Sequence, residues 1–247
     1  MLKRLFIFGA LGLLAAAPPM LAWTAATRQV IAAEAARLAP RDLARQIERH
    51  RNDFEAGVEA ADPATLRQPL DRTVDQHVAE AIAAIRSHRP FPEVVRRLGG
   101  VASEVAYASS PFAGSNDPGA ARYSSDYLEY AESAESRFPL IFYGLSPWLE
   151  QGSSVGSIVN ASLRRSADRR PLLQMEYQRI GFTSGVGVFD DRSTAFGVAS
   201  TAFSHATTDV MAVLRYIWLK AGGADGRTHL PAAGAEIVVL DRAFHAR

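Results

Sequence analysis

Cysteine is absent from the 247-residue chain, and lysine is found only at Lys3 and Lys220. The absence of cysteine excludes a disulfide framework, a thiolate metal site and a thiol nucleophile. Acidic and basic residues nearly balance, and the formal net charge is +1. A chain with balanced charges does not produce the strong positive potential that attracts nucleic acid or anionic lipid. The composition therefore predicts no strong nucleic-acid footprint.

The common catalytic motifs are also absent. The sequence contains no phosphate-cradling glycine loop, no HExxH zinc motif and no GxSxG nucleophile elbow. After the N-terminal region, no stretch approaches the ~18 apolar residues that a membrane span requires. The side chains left for metal or acid–base chemistry include six histidines: His50, His77, His88, His205, His229 and His245. A lone histidine on a helix is more often a surface or hydrogen-bonded residue than a ligand.

The N-terminal region has the form of an export signal. Two basic residues precede an apolar run, Leu5–Ala17, which has signal-peptide length and is too short to span a bilayer comfortably. We predict a signal peptide at residues 1–22, a mature chain at residues 23–247 that begins with Trp23, and a periplasmic or secreted destination. An uncleaved anchor helix is the alternative.

The mature segment has the apolar periodicity of consecutive helices. In one of them, apolar residues recur at steps of three and four, which marks a single buried stripe: Leu70, Val74, Val78, Ile82 and Ile85. The predicted helices cover residues 25–38, 41–60, 66–88, 93–110, 122–137, a pair within 148–187 divided at Pro171, and 193–222. Only residues 236–240 have strand character, and one strand cannot form a sheet. The sequence therefore predicts a single all-α domain with a short unpaired tail.

Several segments together resemble the superfamily of zinc-dependent phospholipases C and fungal single-strand-specific nucleases. They are Trp23 with the following ATRQVIAAEAARLAP, the loop AGVEAADP, RRLGGVASEVAYASSPF and SSDYLEYAESAESRF, with a weaker likeness in FGVASTAFSHATTDVMAVLRYIWLKAGG. The resemblance implies an all-α fold in which a terminal tryptophan gives its amine and carbonyl to zinc. Histidines, aspartates and a glutamate complete the cluster. Clustered zinc generates hydroxide near neutral pH and neutralises charge on a phosphate transition state.

The resemblance assigns three metal ligands in this chain. Trp23 corresponds to the terminal ligand, Asp62 to an aspartate ligand, and His77 to the histidine that accompanies it. Arg28 stands where the superfamily has its first histidine, and we expect it to repel zinc or to pair with Asp62. Without the resemblance, Asp62 is a turn residue before proline, and His77 lies on a half-exposed helix face.

The remaining ligand positions have lost their donors. The superfamily motif LAHxxxDxHxPLH is replaced by VASEVAYASSPFA, which leaves Ser103, Tyr107 and Ala113 at the ligand positions. A later histidine and acid fall on Ser124 and Leu128. Zinc prefers a nearly complete shell of nitrogen, oxygen or sulfur donors, so the resemblance implies weak zinc binding or none. It also implies that six positions distant in sequence converge on a common pocket: Trp23, Asp62, His77, Ser103, Tyr107 and Ser124.

Two further groups are candidates for chemistry. His205 and Asp209 lie four residues apart, on one face of the last helix, where a carboxylate can fix the tautomer of an imidazole base. A helix-stabilising pair is the alternative. The arginine pairs at residues 164–165 and 169–170 can bind phosphate, or they can form a solvated face.

Three functions remain open at this point. The first is an exported relic of the zinc phosphodiesterase fold that binds a ligand or partner, such as a phosphodiester or phospholipid, with little or no hydrolysis. The second is an active metal-dependent phosphodiester hydrolase. The third is a helical structural protein of the envelope, whose likeness to the superfamily is accidental.

Overall fold

The computed structural model describes residues 22–61, 69–145, 149, 151–226 and 238–240. Eight α-helices lie in this part of the chain: α1 (Ala25–Leu38), α2 (Arg41–Arg49), α3 (Arg51–Ala60), α4 (Leu70–Arg86), α5 (Phe91–Ala108), α6 (Ser124–Ala134), α7 (Val155–Arg179) and α8 (Thr194–Lys220). None of these helices is long and apolar enough to cross a membrane.

Capping residues set the ends of α1 and α8. The Thr24 side chain accepts a hydrogen bond from the backbone N–H of Thr27 at 3.1 Å, and Ser193 accepts one from Phe196 at 3.1 Å. Each cap satisfies an N–H group that the first helical turn leaves unpaired. Helix α8 ends just before Gly222. The φ of this residue is 95°, a conformation that glycine adopts with little strain. The predicted bounds of both helices are confirmed.

Two predicted helical segments differ in the structure. Residues 41–60 form two helices, because His50 has φ −117° and ψ 38° and so leaves the helical conformation. Apolar side chains on both sides of this break, such as Ile47 and Phe54, are buried. In contrast, α7 continues through Pro171, where a break was predicted. Both halves of α7 are packed in the core, so their burial outweighs the loss of one backbone hydrogen bond.

The prediction that the C-terminal strand is an unpaired tail is wrong. Strand β2 (Val238–Leu240) pairs in antiparallel register with β1 (Leu140–Phe142), so that Leu140 lies opposite Leu240. A strand of three residues has too little periodicity to be recognised, and β1 was therefore missed. The all-α fold class is confirmed nonetheless, because this two-stranded sheet is a small addition to the helices.

The hydrophobic core draws side chains from all eight helices and from β1. Helix α8 packs against α1, α4, α5, α6 and α7, so it lies at the centre of the helical array. Helices α3 and α5 approach closely through glycine. A Cβ atom at Gly99 would lie 2.1 Å from the carbonyl oxygen of Phe54, and one at Gly57 would lie 2.0 Å from that of Arg96.

Candidate functional site

The Arg28 guanidinium joins three segments of the chain. Arg28 lies on the buried face of α1 and is only 9% exposed. Its Nε donates a hydrogen bond to Ser103 Oγ at 2.8 Å, and one terminal nitrogen donates to the carbonyl oxygen of Trp23 at 2.7 Å. The other terminal nitrogen donates to the carbonyl oxygen of Ala61 at 3.2 Å. The residue before the N-cap of α1, the end of α3 and the middle of α5 therefore meet at one cation.

This network contains three of the positions that the resemblance assigns to the zinc site. Trp23, Arg28 and Ser103 are far apart in sequence and are joined here by hydrogen bonds. A guanidinium carries five N–H donors, no acceptor and a permanent positive charge. The Arg28 guanidinium donates a hydrogen bond to the carbonyl oxygen of Trp23, which the resemblance assigns to zinc. Its positive charge repels a divalent ion at the same place. Asp62, the predicted partner of Arg28, lies outside the described residues.

Two further ligand positions lie in an apolar cluster. Tyr107 and Ala113 are buried together with Ala22, and Leu70 and Leu163 pack against them. Tyr107 is at the end of α5, one helical turn beyond Ser103. These positions lie beside Ala22, the residue before Trp23, and apolar side chains pack against them.

The last pair of ligand positions is also buried. Ser124 and Leu128 lie in α6 and are 4% and 3% exposed. Tyr123, which precedes Ser124, packs its ring edge-on against Phe112 with 5.7 Å between ring centroids. The ring contacts of Phe112 place the start of α6 near Ala113. The hydrogen bonds of Arg28 within the described part of the chain do not extend to Ser124.

His77 is held by a buried carboxylate that the sequence analysis did not identify. Its Nδ1 lies 2.8 Å from Glu104 Oε1, and Glu104 is the residue after Ser103. Burial raises the pKa of the Glu104 carboxyl, and the adjacent His77 reduces this increase. The second carboxylate oxygen, Oε2, is buried and has no hydrogen-bond partner in the described part. An ionised carboxylate at this distance accepts a hydrogen bond from an N–H at Nδ1 and so fixes the orientation of the imidazole ring.

A groove of about 530 Å³ lies beside the His77–Glu104 pair. Its walls come from α3, α4 and α5 and include Ala61, whose carbonyl oxygen binds Arg28. On its outer rim, Arg97 bonds to Glu80 and Glu93 at 3.3 and 3.2 Å. The groove therefore offers one imidazole, one buried carboxylate and several paired charges beside the Arg28 network.

The donor set does not fit a zinc cluster. Among the residues described, no group of three or more His, Cys, Asp or Glu side chains is placed to hold a metal ion. Six positions that the resemblance assigns to metal ligands carry other side chains instead of imidazoles and carboxylates: Arg28, Ser103, Tyr107, Ala113, Ser124 and Leu128. A guanidinium and a buried apolar cluster cannot replace those donors.

His205 and Asp209 share a face of α8 but have different partners. Asp209 accepts a hydrogen bond from Ser162 at 2.6 Å and forms an ion pair with Arg165. His205 stacks on the Tyr143 ring with 3.9 Å between ring centroids. Burial, and then the charges of Arg165 and Arg169, lower the pKa of His205 to about 3. The partner of Asp209 is thus an arginine of α7, and the imidazole is neutral at physiological pH.

The role of α7 in this cluster was not predicted. Arg165 and Arg169 had been considered as a phosphate site or as a solvated surface, whereas both are half-buried between α7 and α8. Their four-residue spacing, with Ser162 one turn earlier, places all three on one face. The spacing indicates that these side chains share one face of α7. It does not indicate which residues of α8 lie opposite them, because the sequence of one helix does not determine its register against another.

Comparison with known proteins shows a similarity in structure. No family model matches the sequence, and no curated protein does. A solved structure of alpha-toxin from Clostridium perfringens, isolated from avian strain SWCP, is similar with a TM-score of 0.57 and 12% identity. The similarity covers 83% of this chain and 67% of the toxin chain. At this identity it shows the fold alone, and the predicted all-α fold of the zinc-dependent phospholipase C type is confirmed.

Proposed function

We propose that this chain is an exported protein with the zinc-phospholipase C fold that binds a ligand or partner and has lost the superfamily's hydrolytic activity. The observation that carries the proposal is the Arg28 network. In it, a side chain that cannot bind a metal takes up the Trp23 carbonyl and bonds to Ser103 at a second ligand position. Fold and packing outlast the ligands of a metal site, because they depend on different residues.

The ligand of such a protein would occupy the groove next to this network. The groove borders Ala61, His77 and Glu104 and is large enough for a small polar molecule. A phosphodiester or a phospholipid headgroup is the class of ligand that the fold relationship favours. Ligand binding without hydrolysis needs only the shape and polar groups of the groove. It does not need a cation that activates water.

One observation favours an active metal-dependent hydrolase as the second candidate. The contact between His77 Nδ1 and Glu104 is the arrangement in which a carboxylate orients a metal-binding imidazole. Trp23, Asp62 and His77 would then be the ligands of a single zinc ion. The third candidate, a structural protein of the envelope with an accidental likeness, is disfavoured by the contacts that join Trp23, Arg28 and Ser103.

Hydrolysis assays on the purified mature chain test the proposal. Bis(p-nitrophenyl) phosphate, phosphatidylcholine vesicles and single-stranded DNA are supplied with zinc in the buffer, beside protein-free blanks. We expect no turnover above the blanks with any substrate. Turnover that disappears in both Asp62→Ala and His77→Ala, but persists in His50→Ala, would refute the loss of activity and support the hydrolase.

A further inference from the structure

A second polar site lies between α6, α7, α8 and the residue that follows β1. Arg165 and Arg169 face α8 from α7, one helical turn apart. The two helices are antiparallel, since Tyr177 near the end of α7 contacts Phe189 just before α8, while Ser162 bonds to Asp209. Arg165 lies opposite Asp209, and the same register places Arg169 opposite His205, one turn earlier in α8.

The positive charge of this site exceeds its negative charge. Asp209 is already engaged by Arg165 and Ser162. Arg169 is half-buried, yet it forms no hydrogen bond or ion pair with any residue that the structure describes. His205 is neutral, because its pKa is lowered to about 3, and so it adds no charge. Among the described residues, Asp209 is the carboxylate that acts on Arg169, and it is already bonded to Arg165. Two guanidinium charges therefore share one carboxylate in a partly desolvated position, which costs free energy unless a ligand supplies a further anion.

One hydroxyl group near Arg169 also lacks a partner among the described residues. Tyr127 is fully buried in α6, and its OH has no hydrogen-bond partner within the described residues. Tyr143 is fixed by the stacking of its ring on His205 and by a backbone N–H that donates to Thr208 Oγ1 at 3.3 Å. Arg169 is close enough to both tyrosines to counteract the increase in their pKa that burial causes. The site thus combines two guanidinium groups with tyrosine hydroxyls.

We propose that Arg165, Arg169, Tyr127 and Tyr143 form a binding site for a phosphate group. The guanidinium groups have only donors, and the hydroxyls can donate, so the ligand must supply several acceptor oxygens and negative charge. A phosphate group fits this set, and a cation does not. The site is formed by α6, α7 and α8, and it needs neither zinc nor hydrolysis.

Calorimetric titration of the full mature chain with inorganic phosphate tests the site. Arg169→Gln removes one of the two guanidinium charges and leaves the Arg165–Asp209 pair in place. We expect it to weaken phosphate binding by at least about tenfold, because a charge-assisted hydrogen bond is lost. The matched control is Arg179→Gln, an exposed residue at the end of the same helix, and its dissociation constant should stay within about twofold of the wild type.

Tyr127→Phe separates a ligand-binding role from a structural one. It removes a hydroxyl that has no partner among the described residues, so the urea midpoint without phosphate should not fall, while phosphate affinity should decrease.

Vesicles with and without phosphatidic acid identify the source of the bound phosphate group. Phosphate binding without vesicle binding indicates a soluble phosphate, and vesicle binding that Arg169→Gln abolishes indicates a lipid phosphate. Absence of phosphate binding by the wild type at millimolar concentrations, or equal binding by Arg169→Gln, would overturn the proposal.

Discussion

At the scale of single residues, the distinctive feature is a buried arginine, Arg28, at a position that the resemblance assigns to a metal ligand. The resemblance led us to expect Trp23 and Ser103 in one pocket, and both are hydrogen-bonded to Arg28. Glu104 and the partner of Asp209 could not be foreseen in the same way. Both depend on contacts between helices that are distant in sequence, and a spacing within one helix gives no information about the neighbouring helix.

Arg28 should contribute strongly to stability. Its guanidinium satisfies the carbonyl oxygens of Trp23 and Ala61 and the hydroxyl of Ser103 in a buried place. We expect Arg28→Ala to lower the free energy of unfolding by roughly 3 kcal/mol, because buried acceptors lose charged donors. Urea denaturation measures the change. Arg49→Ala, an exposed position on α2, should change stability by less than about 0.5 kcal/mol. An equal effect of the two substitutions would show that the network contributes nothing.

His205 should make stability depend on pH. Its pKa is about 3 in the folded chain, against an ordinary value of 6.5, because of burial and the charges of Arg165 and Arg169. The unfolded chain therefore takes up a proton below pH 6.5 that the folded chain refuses until about pH 3. Stability from this group is present above pH 6.5 and is lost as the pH falls, at up to about 1.4 kcal/mol per pH unit.

The comparison between wild type and His205→Gln isolates that effect. Chemical denaturation at a series of pH values should show a shallower decline for His205→Gln below pH 6.5. Asp209, on the same helix, is present in both proteins, so its own titration largely cancels. Parallel curves for the two proteins would contradict the assigned pKa of His205.

At the scale of elements, sequence reasoning was accurate where a local signal exists. The N-caps Thr24 and Ser193 and the glycine at 222 set helix ends by contacts within a few residues, and those ends were predicted. The break at His50 and the continuation through Pro171 were not predicted. Both are decided by how each helical segment packs on the core, and tertiary packing can override a local preference.

The contact between α3 and α5 gives a prediction at this scale. A side chain at Gly99 would collide with the backbone of Phe54, whereas a Cβ at the next residue, Gly100, would be 3.8 Å from its nearest neighbour, the Gly57 carbonyl oxygen. We expect Gly99→Ala to lower the free energy of unfolding by more than about 2 kcal/mol, because the two helices must separate. Gly100→Ala should be neutral or stabilising by up to about 1 kcal/mol, since alanine favours helix. Thermal and urea unfolding of the two variants measure these changes. Similar losses of stability in both variants would refute the close packing of α3 and α5.

At the scale of the whole molecule, the fold was predictable and the function was less so. Helical periodicity and the resemblance both indicated an all-α fold, and the similarity to alpha-toxin agrees with it. Catalytic state depends on a few donor atoms, which change without altering the core. Asp62 and residues 1–21 of the predicted signal peptide at residues 1–22 lie outside the described part, so the predictions about them still require experiments.

Export determines which residue begins the mature chain. We expect the exported protein to start at Trp23, because residues 1–22 have the charge and apolar length of a cleaved signal. Intact mass measurement and N-terminal sequencing of protein recovered from the periplasm or medium provide the test. Protein that begins at Met1 in both fractions would contradict the export prediction, and it would also remove the terminal amine from any metal site.

The central claim is that Arg28 takes a position that a metal would otherwise need. The most direct test is the zinc stoichiometry of mature protein that starts at Trp23, measured by elemental analysis after equilibration with zinc and removal of unbound metal. The account predicts no stoichiometric zinc, because the donors near Trp23 and His77 are too few and the guanidinium charge opposes the ion. One or more zinc ions per chain, lost on His77→Ala or Asp62→Ala, would contradict it.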